Sequence, residues 1–322
     1  MSRTTGVFLS ALLLAAGAAA ADGGTIKGYM FGDYYYVASA DAGDARYPEK
    51  QNAFQFRRVY FTYDRGLSES FSMRYRLEAN DAGFGSGSKM TPYLKHAYLK
   101  WRGAAAGADL YLGLSGTPTF GVSEEVWGYR SIEKTVLDLN GIGSSADLGV
   151  AAMGRAGKLA YHLMLGNGPG QSPERDNGKK LYASLDFLPA QGTHVEAYAD
   201  YNMQPGGRNQ VTFKGFLGLQ RDRYRAGLEP FVRINQKAAA GDDQTLSGVS
   251  AFGALKLADT LRGFGRVDVL NDDAGDTTDL LVIAGVDHTP VENIHLMPNL
   301  YIDMPDGPDP NVQARLTVYY TF

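Results

Sequence analysis

The 322-residue chain contains no cysteine. That absence removes disulfide frameworks, thiolate metal sites and cysteine nucleophiles together. An exported chain of this kind gains no covalent staple from an oxidising compartment. Beyond residue 21 no stretch of eighteen apolar residues occurs, which excludes a membrane-spanning helix. None of the five histidines (His96, His162, His194, His288 and His295) falls at a metal-ligand spacing such as H-x-x-x-H. Solvated wall positions account for them, and the reading assigns no metal and no cofactor. There is no G-x-S-x-G nucleophile elbow, so nothing in the sequence builds an enzyme site. A formal net charge of only −4 gives no footprint for nucleic acid.

The first residues, MSRTTGVFLSALLLAAGAAAADGG, hold a positive Arg3, an apolar core over 7–16 and an alanine run over 18–21. This is the pattern of a secretory signal peptide over 1–21, too short to argue for a spanning helix. The remainder, 22–322, shows no linker or change of composition and reads as one domain.

The clearest local pattern is the final stretch, VQARLTVYYTF over 312–322. Val312, Ala314, Leu316, Val318, Tyr320 and Phe322 form an apolar row, and Gln313, Arg315, Thr317, Tyr319 and Thr321 a polar one. Strict period-two alternation marks a β-strand with one apolar face. Ending on Phe322, with Leu316, Val318 and Tyr320 in the same row, it resembles the terminal signal that outer-membrane assembly machinery reads. Fifteen similar runs precede it, near 25–39, 54–63, 70–78, 93–101, 109–115, 146–154, 158–166, 180–188, 193–202, 211–219, 224–235, 246–257, 261–270, 279–287 and 293–302. Odd-numbered connections read as long and even-numbered ones as short. The expected fold is therefore all-β: a transmembrane antiparallel barrel of about sixteen strands in a Gram-negative outer membrane, both chain ends periplasmic. An even count closing on itself also leaves no free edge. Lipid and lipopolysaccharide are its expected surroundings. Among Tyr34, Tyr35, Tyr36, Tyr98, Trp101, Tyr319 and Tyr320, some fit the aromatic girdles of such a barrel and the rest its interior.

A barrel of about sixteen strands is too wide for its own side chains to fill. The third long connection, TPTFGVSEEVWGYRSIEKTVLDLNGIGSS over 117–145, is the candidate to narrow it. Ser123 with Glu124 and Glu125 reads as a helix start, Val126, Tyr129, Ile132 and Val136 as an apolar face, and Asn140-Gly141 as a stop. Folded inward, this loop would form a constriction of Glu124, Glu125, Trp127, Arg130, Glu133 and Lys134. The lumen row holds Arg74, Arg76, Lys100, Lys214, Arg225, Arg233, Lys256, Arg262, Arg266 and Arg315 against Glu78, Asp186, Glu196, Asp200, Glu229 and Asp268. An excess of basic groups in a water-filled pore favours anions. Alternation sends one of Arg57 and Arg58 to each face. The acidic stretches over 272–276 and 305–310 could hold Ca²⁺ through carboxylates, but match no EF-hand loop and read as solvated surface.

FRRVYFTYDRGLSESFSMRYRLE over 56–78, LKHAYLKW over 94–101 and LYLGLSGTPTFGVSEE over 110–125 resemble the phosphate-selective porin O and P family. The resemblance implies a sixteen-stranded, often trimeric porin whose basic side chains line an anion path. This chain departs from that pattern in carrying at least as many acids as bases in its candidate constriction. The expected function is therefore passive diffusion of small hydrophilic solutes with a weak anion preference. The alternatives are a phosphate- or polyphosphate-selective porin, or a non-conducting barrel that sheathes a partner.

Overall fold

The computed structural model describes residues 23–41, 48–80, 89–105, 107–239, 241–306 and 309–322. The expected signal peptide over 1–21 lies outside them, as does part of the acidic 305–310 stretch. The first eight strands are β1 (Thr25–Ser39), β2 (Asn52–Gly66), β3 (Phe71–Asn80), β4 (Tyr93–Ala105), β5 (Ala108–Gly116), β6 (Ala146–Ala156), β7 (Leu159–Gly166) and β8 (Lys180–Phe187). The second eight are β9 (Thr193–Asn202), β10 (Gln210–Gln220), β11 (Tyr224–Ala239), β12 (Asp242–Ala258), β13 (Leu261–Asp272), β14 (Thr277–Val291), β15 (Ile294–Met304) and β16 (Asn311–Thr321). Between β5 and β6 lie two short helices, α1 (Gly121–Trp127) and α2 (Val136–Leu139).

Each strand pairs antiparallel with its sequence neighbours, and β16 returns to β1 to close the barrel. The seam runs from Tyr29 opposite Thr321 to Ser39 opposite Val312. Its last link is reciprocal: Gly28 N–H donates to the Phe322 carbonyl at 2.9 Å and Phe322 N–H to the Gly28 carbonyl at 3.0 Å. A Cβ at Gly28 would stand 2.5 Å from the Phe322 ring, so only glycine admits that ring against the seam. No helix among the described residues is long and apolar enough to cross a membrane.

Alternation sorts the terminal strand as its sequence reads. Leu316, Tyr320 and Phe322 are exposed on the outer face, while Gln313 and Thr317 are buried in the lumen. Of the aromatic candidates, Tyr34, Tyr36, Trp101 and Tyr320 face outward. Tyr35 is buried inside, Tyr98 lies against Tyr111, and Tyr319 against His295.

Two features depart from the sequence reading. The alternation of long and short connections fails between β11 and β12, whose ladder continues to Ala239 opposite Asp242, and between β13 and β14, where Asp272 already faces Thr277. Register also slips in seven of the strand pairs, and two of those slips re-aim charged side chains toward the lumen. Between β1 and β2, Phe31 faces Arg58 and Gly32 faces Phe56, so Arg57 is an extra residue. Between β3 and β4, Arg76 faces His96 and Leu77 faces Leu94, so Lys95 is extra. A β-bulge re-aims side chains. Here Arg57 and Arg58 both point inward, which corrects the expectation of one on each face, and Lys95 joins His96 inside.

Candidate functional site in the lumen

The 117–145 connection packs against the inner wall of one half of the barrel. Val126, Trp127, Tyr129 and Ile132 form a single apolar cluster with Phe216 of β10, Phe252 of β12, Phe264 of β13, Ile283 of β14 and Met297 of β15. A second cluster joins Phe120, Val136, Leu137 and Ile142 to Phe231 of β11. Val126, Ile132, Val136, Leu137 and Ile142 are fully buried, and each contributes roughly 1.5–3 kcal/mol to holding the loop in place. The apolar run inside the loop and the apolar inner face of these strands answer one another.

The helices are shorter than the sequence implies. Phe120 rather than Ser123 stands at the N-cap of α1, and Gly128 stops it in a left-handed conformation at φ 68°. Ser123 lies within the first turn, where its hydroxyl donates to the Phe120 carbonyl at 3.2 Å and to Glu229 Oε1 at 2.8 Å. The glutamate's position on the facing strand decides that arrangement, and no local pattern records it.

Cations of the wall anchor the loop's backbone. Arg57 Nη1 donates to the Ser131 carbonyl at 3.0 Å and to the Ile132 carbonyl at 2.5 Å. Lys214 Nζ donates to the Thr119 carbonyl at 2.8 Å and pairs with Glu196 at 2.8 Å. Arg233 Nη1 reaches the Gly141 carbonyl at 3.3 Å, and Arg266 donates to the Lys134 carbonyl while pairing with Asp268. Arg315 lies 3.7 Å from Glu133 and 3.9 Å over the Tyr301 ring. Lys214, Arg266 and Arg315, expected to line a solute path, instead satisfy loop carbonyls and carboxylates that burial strips of water, while the Arg233 contact to the loop is exposed. Lys214 and Arg266 are wholly buried under the loop and do not line the lumen.

Two constriction candidates are corrected in the same way. Trp127 is buried between Phe252 and Phe264, with its indole N–H on the Glu133 carbonyl at 3.1 Å. The Glu133 carboxylate lies between Arg57, at 3.3 Å, and Arg315. Burial pushes the Glu133 carboxyl up, but Arg57, Arg315, the Lys134 N–H and Arg130 outweigh it and hold it down to about 2. Glu125 is exposed on the far side of α1, and Lys134 leans toward Asp138 at 3.9 Å.

On the opposite half of the barrel the loop leaves an open gap. Its walls are Tyr29, Tyr60, Arg76, Lys95 and His96 on β1 to β4, and Glu124, Arg130 and Asp138 on the loop, around about 190 Å³. Arg130 bridges Glu124 at 3.1 Å and Asp138 at 3.2 Å. Across the gap Glu78 accepts from Arg58 at 2.6 Å and from Lys95 at 3.0 Å. Arg76 donates to the Thr62 hydroxyl at 2.8 Å and lies 5.8 Å over the Tyr60 ring, with no ion pair among the described residues. Arg58, Arg76, Lys95 and Arg130 thus meet Glu78, Glu124 and Asp138: four cations against three carboxylates, most cations on the wall and two of the acids on the loop. Sequence reasoning placed Glu124, Arg130 and Arg76 here and missed Arg58, Lys95 and Asp138. The bulges that bring in the first two have no period-two signature.

The remaining basic candidates lie at the short-turn end. Arg74 pairs with Asp64 at 2.6 Å, Lys100 with Asp109 at 2.7 Å and Lys256 with Asp259 at 2.8 Å. Among the described residues Arg225 and Arg262 make no ion pair, although Asp287 lies directly opposite Arg262 on β14. The lumen acids Asp186, Glu196, Asp200, Glu229 and Asp268 are all buried, and most are taken up by lumen bases or His194. Asp272 and Asp273 hold Gln244 and the Thr245 N–H, and no group of residues with metal-ligand geometry occurs among the described residues.

No protein-family model matches the sequence, and no curated protein matches it either. Solved structures do match in fold. The outer membrane channel DcaP of Acinetobacter baumannii aligns over 93% of this chain and 97% of its own at TM-score 0.68 and 14% identity. An anion-selective porin from Comamonas acidovorans aligns over 93% and 99% at TM-score 0.67 and 13% identity. Salmonella typhi OmpF, in a complex with daunomycin, aligns over 93% and 97% at TM-score 0.66 and 10% identity. OmpT of Vibrio cholerae, solved in a trimer form, aligns over 94% and 100% at TM-score 0.64 and 12% identity. The chain has the porin fold: a closed, sixteen-stranded antiparallel barrel of the outer-membrane type.

Proposed function

We propose that the protein is an outer-membrane porin that passes small hydrophilic solutes by passive diffusion, with a weak preference for anions. The observation that carries this reading is the gap between the inward loop and the β1 to β4 wall, lined by charge on both sides. A solute crossing it meets Arg76 and Lys95 on one side and Glu124, Arg130 and Asp138 on the other. Charge separated across a narrow aqueous passage orients dipolar solutes, and the single excess cation favours anions slightly. Transport of this kind needs a radius and a wall potential and no catalytic residue. The trimeric form of a structural neighbour and the broad apolar outer face support a homotrimer embedded in lipid and lipopolysaccharide. The exposed aromatic row ending at Phe322 supports recognition by the barrel-assembly machinery. Selectivity for phosphate has less support, because Arg58 and Lys95 already share a carboxylate. The test is reversal potential in a KCl gradient across a planar bilayer: a small shift toward the chloride potential is expected, and cation selectivity would overturn the anion preference.

A further inference from the structure

We propose that the lumen wall below the gap binds saccharides, with Tyr98 and Tyr111 as an aromatic platform for a pyranose ring at the short-turn end. Its role in transport, a resting point between the gap and the exit, rests on the porin reading, but its occupancy does not.

The loop covers the lumen rings of the opposite half, where Phe216, Phe252 and Phe264 pack against it. The β1 to β5 wall facing the gap carries tyrosines. Tyr29 and Tyr60 stack at 4.4 Å and line the gap. Below them His96 lies 6.1 Å from Tyr98, and Tyr98 meets Tyr111 edge to face at 5.2 Å. Arg76 faces His96 across the β3–β4 ladder, and Arg74 faces Tyr98 two residues further on. Two residues span about 7 Å of strand, so the series of rings runs on from the gap toward the short turns.

Tyr98 and Tyr111 are half-buried and line a recess of about 410 Å³ with Asp64, Ser72, Arg74 and Lys100. That volume suits a small-molecule site. Opposite Tyr98 stands Gly113 at φ 124°, where a Cβ would lie 2.4 Å from the Ala97 carbonyl oxygen. Only glycine fits there, and the Tyr98 ring has no side chain beside it at that position. The Tyr98 hydroxyl makes no hydrogen bond among the described residues.

The bases against these rings come with their acids. Arg74 donates to both oxygens of Asp64, at 2.6 and 2.8 Å, and lies 6.0 Å from the Tyr98 centroid. Lys100 pairs with Asp109 at 2.7 Å and lies 5.2 Å over the Tyr111 ring. Arg65 and Arg102 stand exposed at the rim. Donors and acceptors therefore sit side by side around an aromatic surface. A pyranose matches that arrangement: its C–H face lies on a ring while its rim hydroxyls both donate and accept. An anion would meet Asp64, a cation would meet Arg74 and Lys100, and a flat apolar ring would leave the polar lining without partners.

The test is saturation-transfer NMR on the folded barrel in a detergent without a sugar headgroup, with maltotriose as the probe. Transfer to the pyranose C–H protons is expected, saturating with maltotriose concentration. Tyr98→Leu and Tyr111→Leu, which keep apolar bulk but lose the ring, should each weaken binding about tenfold. Tyr98→Phe keeps the ring and should stay within about threefold of the native protein. Tyr75→Leu, on the exposed outer face of β3, should leave binding unchanged. Absence of saturable transfer in protein shown folded by its gel mobility, or native affinity in the double Leu variant, overturns the site. Saturable binding of sodium benzoate without binding of maltotriose overturns the assignment to saccharides. Preference for triacetylchitotriose over maltotriose identifies a cell-wall glycan as the ligand and overturns the role in transport. Chloride conductance from the same preparation separates the two readings. Conduction without sugar binding refutes only the platform, and sugar binding without conduction refutes only the channel.

Discussion

Replacing Glu133 with alanine removes the carboxylate that Arg57 and Arg315, both largely buried, share; Arg57 keeps Asp33 at 3.5 Å, while Arg315 keeps no carboxylate among the described residues. Two routes give the size of the effect. Removing one partner of a buried ion pair costs about 3–5 kcal/mol, because the remaining charge is stranded. Independently, a carboxyl held at about 2 in place of its ordinary 4.5 corresponds to about 3 kcal/mol of preference for the docked loop. A loss of about 3 kcal/mol raises the population of undocked loops roughly a hundredfold. The strand ladders are untouched, so the barrel itself should survive. The pH dependence has a definite sign. A depressed carboxyl stabilises only while ionised, so the contribution is whole above pH 4.5 and disappears as pH falls toward 2. In the native protein, current noise should therefore rise steeply below about pH 4. Glu133→Ala should show that noise already at pH 7, with faster proteolysis within 117–145. If the variant is folded yet its noise and cleavage rate match the native protein, Glu133 is no anchor and the reasoning fails.

Two other perturbations follow from the same geometry. Lys95→Gln removes one of the four cations at the gap and should lower the chloride-to-potassium permeability ratio by roughly twofold; an unchanged ratio would place the selective region elsewhere. Deleting Phe322 removes the reciprocal backbone pair with Gly28 and the ring beside it. Insertion into the outer membrane should fall while synthesis and export stay constant, as fractionation and heat-modifiable gel mobility would show.

The strands were legible because a barrel wall facing lipid on one side and water on the other imposes period two on nearly every segment. What the alternation cannot carry is a change of register. Arg57 and Lys95 each occupy a bulge, and one extra residue brings two neighbouring side chains to the same face, so the wall of the gap was only partly readable. The loop's interior was hidden for a different reason. Trp127, Glu133, Lys214 and Arg266 look like polar-lined pore residues when each segment is read alone, and become buried only when loop and wall are brought together. One trace of that meeting is present in the sequence. Leu280 to Val286, LLVIAGV, is apolar in both rows, as expected of a strand with lipid outside and a packed loop inside. The helix start assigned to Ser123 failed because Glu229, distant in sequence, supplies its hydroxyl with an acceptor.

The most direct test of the central claim is single-channel recording of the purified, folded protein in a planar bilayer under a KCl gradient. The account predicts stable, stepwise conductance with a reversal potential displaced slightly toward that of chloride. A folded barrel that incorporates into the bilayer and carries no current would contradict it, and would mean that the loop closes the lumen instead of narrowing it.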